Sequence, residues 1–213
     1  TMASASNGIL GPLVGRVGTV TGYIRNGVPV IRIATRKKDN IQSQARLAQR
    51  EKLKLCIAFT SAFTGTDFFR KTFPAYGHKG TGLHRATSAL MNLAVRGTYP
   101  DLSLSYPDVL VAKGILPGAV NASAYTDSDK QIVFSWDDNS GWGTATRYDQ
   151  AVMVAYDVEY KQAIFTVHGG ARNTCNASLD ATPLRGRTIA AWLSFLNEKG
   201  DAADSTFCGM VAV

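Results

Sequence analysis

The sequence contains few of the side chains from which metal sites and active sites are usually built. Three cysteines and three histidines are present in 213 residues. The cysteines, Cys56, Cys175 and Cys208, include no C-x-x-C pair and are odd in number, so they indicate neither a zinc site nor a secreted disulfide framework. We expect Cys56, inside the apolar run LCIAF, to be a small core residue.

Catalytic and nucleotide-binding motifs are also missing. The sequence has no P-loop, no G-x-G-x-x-G between a strand and a helix, no H-E-x-x-H and no G-x-S-x-G. His78, His84 and His168 are isolated, without a partner at motif spacing. We therefore expect a protein that is not an enzyme and that uses no cofactor and no small-molecule substrate.

Acidic pairs occur at two expected turns, Asp127/Asp129 and Asp137-Asp138. They lack the alternating ligand series and the closing glutamate of a dedicated calcium loop. Aspartate is also a common turn residue, because its side chain accepts hydrogen bonds from the local backbone. We interpret these residues as turn formers, with weak calcium binding as the alternative, and expect no dedicated metal site.

Long apolar runs are absent as well. None approaches the ~18 residues that a membrane-spanning helix needs. The opening stretch MASASNGILGPLVG has neither the charged start nor the long apolar centre of a signal peptide. The sequence therefore predicts no membrane span, and it favours the cytoplasm or an assembled particle as the location.

Acidic residues are scarce in the first half of the chain. Residues 1–100 carry 15 Lys+Arg against 3 Asp+Glu, a balance of +12, whereas residues 101–213 carry 8 against 13, a balance of −5. This asymmetry suggests two units with different surfaces. The basic half could meet nucleic acid, an anionic surface or the acidic half of a neighbouring copy, or it could simply keep the protein soluble.

A β-hairpin is the strongest local signal in the first 40 residues. Asn26-Gly27 favours a two-residue type I′ turn, because both turn positions need positive φ. The resulting register pairs Ile24 with Pro29 and predicts one buried face of Val20, Ile24, Pro29, Ile31 and Ile33. The missing N–H of proline then points outward, so the second strand is expected at an edge of its sheet.

The other face of the hairpin is basic, and cations continue after it. Their candidate binding surface comprises Tyr23, Arg25, Arg32, Arg36, Lys37, Lys38, Arg46, Arg50 and Lys54. The last three recur every four residues on a predicted helix, where like charges are mildly destabilising. Phosphate binding needs such cations, and Tyr23 could stack on a base. A charge-complementary protein contact or a plain solvated face explains the pattern equally well.

Two amphipathic helices are predicted after the hairpin, over residues 41–63 and in the segment TGLHRATSALMNLAVRG. The aromatic stretch DFFRKTFPAYGHKG between them is expected to be a loop. After Pro100 the pattern changes to period two. Short strands are expected in LSLSY and DVLVA, and Gly114 and LPG mark a boundary. We therefore divide the chain into a basic hairpin-and-helix domain, residues 1–116, and a β domain, residues 117–213.

Seven alternating strands are predicted in the second domain, and they argue for an antiparallel sandwich and an α+β fold overall. They are AVNASAY, QIVFSW, QAVMVAYDV, QAIFTV, CNASL, TIAAWLSFL and TFCGMVAV. QIVFSWDD, with a core residue expected at Trp136, and TIAAWLSFLNEKGDAADS resemble strands of fibronectin type III and related immunoglobulin-like domains. That resemblance implies a spacer, docking or adhesion module.

Nearly the whole chain resembles an uncharacterised family of Bacteroidota proteins that carry a domain of unknown function. The resembling pieces, in order, are GPLVGRVGTVTGYIRNGVPVIR, DNIQSQARLAQREKLKL, GTYPDLSLSYPDVLVAKGILPGA and FSWDDNSGWGTA. The family implies no activity. Our functional expectation is a structural or interaction protein, an assembly subunit or docking module of phage-derived or surface machinery that uses its basic N-terminal surface to meet an acidic partner. Sequence-independent nucleic-acid binding is the alternative.

Overall fold

A computed structural model describes residues 3–9, 11–34, 43–127, 129 and 131–213. Contacts divide the chain into two compact units, residues 1–42 and 43–213. This boundary, between residues 42 and 43, differs from the boundary that we expected between residues 116 and 117. Arg36, Lys37 and Lys38 lie outside the described residues.

The first unit is a four-stranded antiparallel sheet with its strands in sequence order. The strands are β1 (Ser4–Ile9), β2 (Leu13–Val17), β3 (Val20–Arg25) and β4 (Val28–Ile33). The predicted hairpin is confirmed: Ile24 pairs with Pro29, and φ is +51° at Asn26 and +79° at Gly27. β4 lies at an edge of the sheet, as the outward-facing proline predicted.

Glycine at position 22 allows β2 to lie close to β3. Gly22 pairs with Gly15, and a Cβ built on Gly22 would lie 2.1 Å from the carbonyl oxygen of Leu13. A side chain at this position would therefore collide with backbone. Leu13 in turn screens Gly22, which is buried while the ends of the hairpin are exposed.

Three α-helices are described in the second unit: α1 (Gln44–Thr60), α2 (Phe68–Thr72) and α3 (Gly82–Leu93). α1 and α3 are the two predicted helices. α2 falls in the aromatic stretch that we expected to be a loop, so that expectation was wrong for residues 68–72. Phe68 and Phe69 are buried there, which shows that the aromatic side chains anchor this short helix in the core.

Nine strands are described in the second unit. They are β5 (Val95–Thr98), β6 (Asp101–Leu104), β7 (Val120–Thr126), β8 (Gln131–Asp137), β9 (Gln150–Asp157), β10 (Ala163–Thr166), β11 (Asn176–Asp180), β12 (Thr188–Leu196) and β13 (Thr206–Ala212). β5 and β6 form a hairpin, and the last seven are the seven predicted strands. DVLVA was expected to be a strand, and that expectation was wrong. Val109 and Val111 are nevertheless buried in the core.

The seven later strands form two antiparallel sheets, with orders β11-β8-β7 and β10-β9-β12-β13. One buried apolar cluster combines residues of both sheets, including Phe134 and Trp136 of β8 with Met153 of β9 and Leu193 and Phe195 of β12. The expectation that Trp136 is a core residue is confirmed, since it is 3% exposed.

A second cluster lies on the other side of β9 and β12, against the helices. It combines Val154, Tyr156 and Trp192 of the sheet with Cys56 and Phe59 of α1. The Phe59 ring centre is 4.6 Å from that of Tyr156 and 6.0 Å from that of Trp192. The central strands of this sheet are therefore buried on both faces, and the helices share their core with strands after residue 117.

Candidate interaction surface

The expectation of a buried hairpin face is wrong. We define the apolar face of the first unit by the residues that the pairing places together on one side of β2, β3 and β4: Leu13, Val17, Val20, Ile24, Pro29, Ile31 and Ile33. Val17, Ile24, Ile31 and Ile33 are 54, 52, 64 and 79% exposed. The alternation correctly identified an apolar face, but it did not show that the face would be buried.

The opposite side of the same strands is the basic face: Val14, Arg16, Thr21, Tyr23, Arg25, Val28, Val30 and Arg32. Two of the predicted site residues meet here, since the Arg32 guanidinium lies 5.6 Å from the centre of the Tyr23 ring. Arg25 is exposed at the hairpin end. One face of the sheet thus exposes only aliphatic side chains, whereas the other exposes arginines together with Val14 and Val28.

The remaining described site residues lie on α1, in the second unit. Arg46, Arg50 and Lys54 are exposed on this helix, as their spacing predicted. Lys54 lies 3.6 Å from Glu51, in an exposed ion pair one turn away. An exposed ion pair of this kind contributes little to stability, and the Lys54 ammonium stays accessible to solvent. The predicted surface is therefore divided between the two units, and its middle part, residues 36–38, is not described.

A surface that the sequence did not predict is the loop between β8 and β9, residues 138–149, which we call the aromatic loop. It exposes 60% of Trp142 and 67% of Tyr148. Backbone hydrogen bonds fold it on itself: the Gly141 N–H donates to Ala145 and the Ala145 N–H donates to Trp142. Asp137 and Asp138, at its start, are also exposed. Trp and Tyr side chains are enriched among the residues that contribute most to binding at protein interfaces.

The base of the aromatic loop is fixed by a buried arginine. Arg172 Nε donates to Asp149 Oδ2 at 3.1 Å, Nη1 donates to Asn139 Oδ1 at 2.6 Å and Nη2 donates to the Pro117 carbonyl at 3.0 Å. Its guanidinium carbon also lies 3.8 Å from the centre of the Phe195 ring. Burial lowers the pKa of Arg172, and the Asp149 carboxylate opposes that change. Both ends of the loop are therefore held by one cation.

The isolated histidines and acidic turns form no metal site in the structure. Within the described ranges, no group of three or more His, Cys, Asp or Glu side chains lies close enough to hold a metal ion. Asp137 instead accepts a hydrogen bond from the Asn121 side-chain amide at 2.6 Å. The Ser140 N–H donates to Asp138 Oδ1 at 2.9 Å, the turn geometry that short acidic residues favour. None of the described helices is both long enough and apolar enough to cross a membrane.

Comparison with protein families places the chain. A model for a family of unknown function (DUF6266) matches residues 12–209. The protein belongs to this family. The match begins just before β2 and ends within β13, so the first unit from β2 onward and the second unit occur together in the family. No curated protein matches the sequence.

Proposed function

We propose that the protein is a non-catalytic assembly subunit whose N-terminal sheet docks on another protein molecule. The exposed apolar face is the observation that carries this proposal. A small sheet needs a covered apolar face to be stable. Ile24, Ile31, Ile33 and Val17 together expose on the order of several hundred Å², the size at which an apolar patch marks an interaction site.

Charge selects an acidic partner. Residues 1–42 carry 6 Lys+Arg against 1 Asp, a balance of +5, residues 43–100 carry 9 against 2, a balance of +7, and residues 101–213 carry 8 against 13, a balance of −5. On a second copy, the charge that complements the sheet therefore lies in residues 101–213, although the second unit as a whole has a balance of +2. Apolar contact supplies the affinity of such an interface, and the cations of the basic face raise the rate of encounter and select against basic partners.

The aromatic loop of the second copy is the acceptor that fits this sheet. Trp142 and Tyr148 provide large amphipathic side chains for contact with aliphatic residues. Asp137 and Asp138 provide negative charge at the start of the loop, which the exposed Arg147 offsets in part. The Arg172–Asp149 pair holds the loop in one conformation, so little conformational entropy is lost when it binds. Sheet-to-loop contact joins two different surfaces, so it closes as a reciprocal pair or a ring, or continues as an open chain of copies.

The strand order of the second unit supports the same role. We infer that β7–β13 form an immunoglobulin-like sandwich of the fibronectin type III kind, because β10 pairs with β9 while β11 pairs with β8. Such domains commonly act as docking modules. A docking role inferred from the fold alone is an analogy, so the exposed sheet is the stronger support for the proposal.

Light scattering of the whole chain at about 0.1 M and about 1 M salt tests the proposal, since the Debye length falls from about 10 Å to about 3 Å between them. Oligomers are expected at both concentrations, because apolar contact is not weakened by salt. A monomer at the lower salt concentration would contradict self-assembly. Oligomers that dissociate fully at the higher concentration would show that the cations, and not the apolar face, supply the affinity.

A second candidate function is sequence-independent binding of nucleic acid. The observation that favours it is the basic face, where Arg32 lies beside Tyr23 and Arg16 and Arg25 are exposed on the same side. Binding would fall steeply with salt, and replacing two arginines would flatten that dependence by about two counterions. Tight, salt-sensitive binding of single-stranded DNA near physiological ionic strength would favour this function over assembly.

A further inference from the structure

Basic side chains from three segments of the second unit gather around a cleft of about 580 Å³ beside α3. Five basic side chains line it: His78, Lys79, His84, Arg85 and Lys113. They come from the segment before α3, from α3 itself and from the segment before β7. The sequence separates them by up to 35 positions, which is why motif spacing could not detect the cluster.

No carboxylate lines this cleft in the described part of the chain. His78, Lys79, His84 and Lys113 form no ion pair there, in contrast to the paired cations Arg70, Arg96 and Arg187 elsewhere in the unit. Like charges gathered without counter-charge are unfavourable unless an anion joins them. The remaining lining residues include Tyr76, Ser88 and Asn92, which can donate hydrogen bonds.

Two carboxylates approach the lining from outside, and both are already engaged. Asp204 Oδ1 accepts a hydrogen bond from the Gly114 N–H at 2.9 Å, and Asp201 Oδ2 accepts one from the Asn197 side chain at 3.0 Å. Burial raises the pKa of Tyr76, the hydrogen bond with the Ala202 backbone lowers it, and the Asp201 carboxylate raises it, with a net increase. The tyrosine is thereby held neutral, as a wall of the cleft.

Arg85 contributes a fixed positive charge to the cleft. Its Nε donates to the Phe73 carbonyl at 3.1 Å and its Nη1 donates to the Gly80 carbonyl at 2.7 Å. Because backbone carbonyls occupy the guanidinium fork, Arg85 cannot bind a carboxylate or a phosphate through two parallel hydrogen bonds. Its charge remains, together with lysine and histidine groups that approach from several directions, an arrangement suited to a tetrahedral group of charge −2.

We propose that this cleft binds a small phosphate-bearing molecule through Lys79, Lys113, His78 and His84, with Arg85 as a fixed positive wall. Its volume lies within the ~300–1,000 Å³ of typical small-molecule sites. The site belongs to the second unit alone and does not depend on the proposed docking sheet. Its ligand would be a regulator or cargo of the assembly rather than a structural contact.

Isothermal titration of the whole protein with inorganic pyrophosphate, and separately with citrate, tests the site. Pyrophosphate should bind, and the double variant Lys79→Gln/Lys113→Gln should lose at least about tenfold in affinity. The matched control, Arg185→Gln/Lys199→Gln, removes two exposed cations of the same unit that do not line the cleft and should bind like the wild type.

Three results would overturn the assignment. They are no pyrophosphate binding by the wild type, an equal loss in the control variant, and citrate binding at least as tight as that of pyrophosphate. Lys79 and Lys113 are exposed, so these substitutions should leave folding intact. Circular dichroism melting of each variant checks that they do.

Discussion

Arg172 and Asp149 form an ion pair that solvent does not reach: Nε lies 3.1 Å from Oδ2, and both side chains are fully buried. The pair joins the end of the aromatic loop to the segment before β11. Trp136 takes part as well, because its Nε1 donates to the Arg172 carbonyl at 2.6 Å. A polar network at the end of the sheets therefore fixes the surface that carries Trp142 and Tyr148.

Removing one member of this pair should destabilise the second unit strongly. Asp149→Ala leaves a buried guanidinium without its carboxylate, so we expect a loss of about 3–5 kcal/mol in the free energy of unfolding. Arg172→Met/Asp149→Ala should lose less than the two single changes summed, because it leaves no unpaired charge. Urea unfolding of the four proteins measures this cycle, and additive losses would show that the two side chains are not coupled.

The conformation of the hairpin turn predicts which side chains position 27 tolerates. Gly27 has φ +79°, which a β-branched residue adopts only with strain, so Gly27→Val should destabilise the hairpin by about 1–3 kcal/mol. Gly27→Asn is the matched control, because asparagine tolerates this conformation. Hydrogen exchange of the amides in β3 and β4 reports on the hairpin separately from the second unit. Equal protection in both variants would mean that the turn is not type I′.

The shared core changes the expectation for a fragment of residues 117–213, which the sequence had suggested would fold alone. Without the helices, Val154, Tyr156 and Trp192 would be uncovered on β9 and β12. We now expect this fragment to aggregate or to lack a dispersed proton spectrum, and we expect Phe59→Ala in the whole chain to lose about 3–5 kcal/mol. A soluble 117–213 fragment with a well-dispersed proton spectrum would show that these residues form a complete domain without the helices.

The three cysteines should differ in reactivity. All are free. Burial raises the pKa of the Cys56 thiol, and burial raises that of Cys208 to about 12, so both hold little thiolate at mildly alkaline pH. Cys175, at a turn beside β11, should therefore be the one thiol that reacts rapidly with a disulfide reagent in the native protein. Rapid reaction of two or three thiols before denaturation would contradict this burial.

Local patterns in the sequence predicted local structure well. The Asn26-Gly27 turn set the hairpin register residue by residue, and alternation located all seven later strands. These features depend on neighbours in sequence, where backbone preference and period-two patterning act directly. Cys56 and Trp136 were correctly predicted to be core residues, because apolar side chains in strongly patterned segments are usually buried.

These local patterns could not predict which elements pack against each other. Ile31 and Ile33 have the alternation of a buried face, yet the helices cover β9 and β12. Burial depends on long-range packing, and alternation only states that a face is apolar. The same limit hid the Arg172 network, in which each partner is 23 or more positions from Arg172. It also hid the basic cleft, whose residues come from three segments.

The central claim is a contact between the apolar face of one copy and the aromatic loop of another. Two variants each remove one half of that contact: Ile31→Thr/Ile33→Thr on the sheet and Trp142→Ser/Tyr148→Ser on the loop. These side chains are exposed, so both variants should fold. Each variant alone should be a monomer, because each lacks one of the two surfaces.

Sedimentation velocity of the two variants, separately and mixed in equal amounts, tests the claim most directly. A mixture restores one intact sheet and one intact loop, so the account predicts that two monomeric variants form a dimer that grows no further. The matched control, Lys199→Gln, should assemble like the wild type. A mixture that stays monomeric while the wild type assembles, or variants that assemble as the wild type does, would contradict the account.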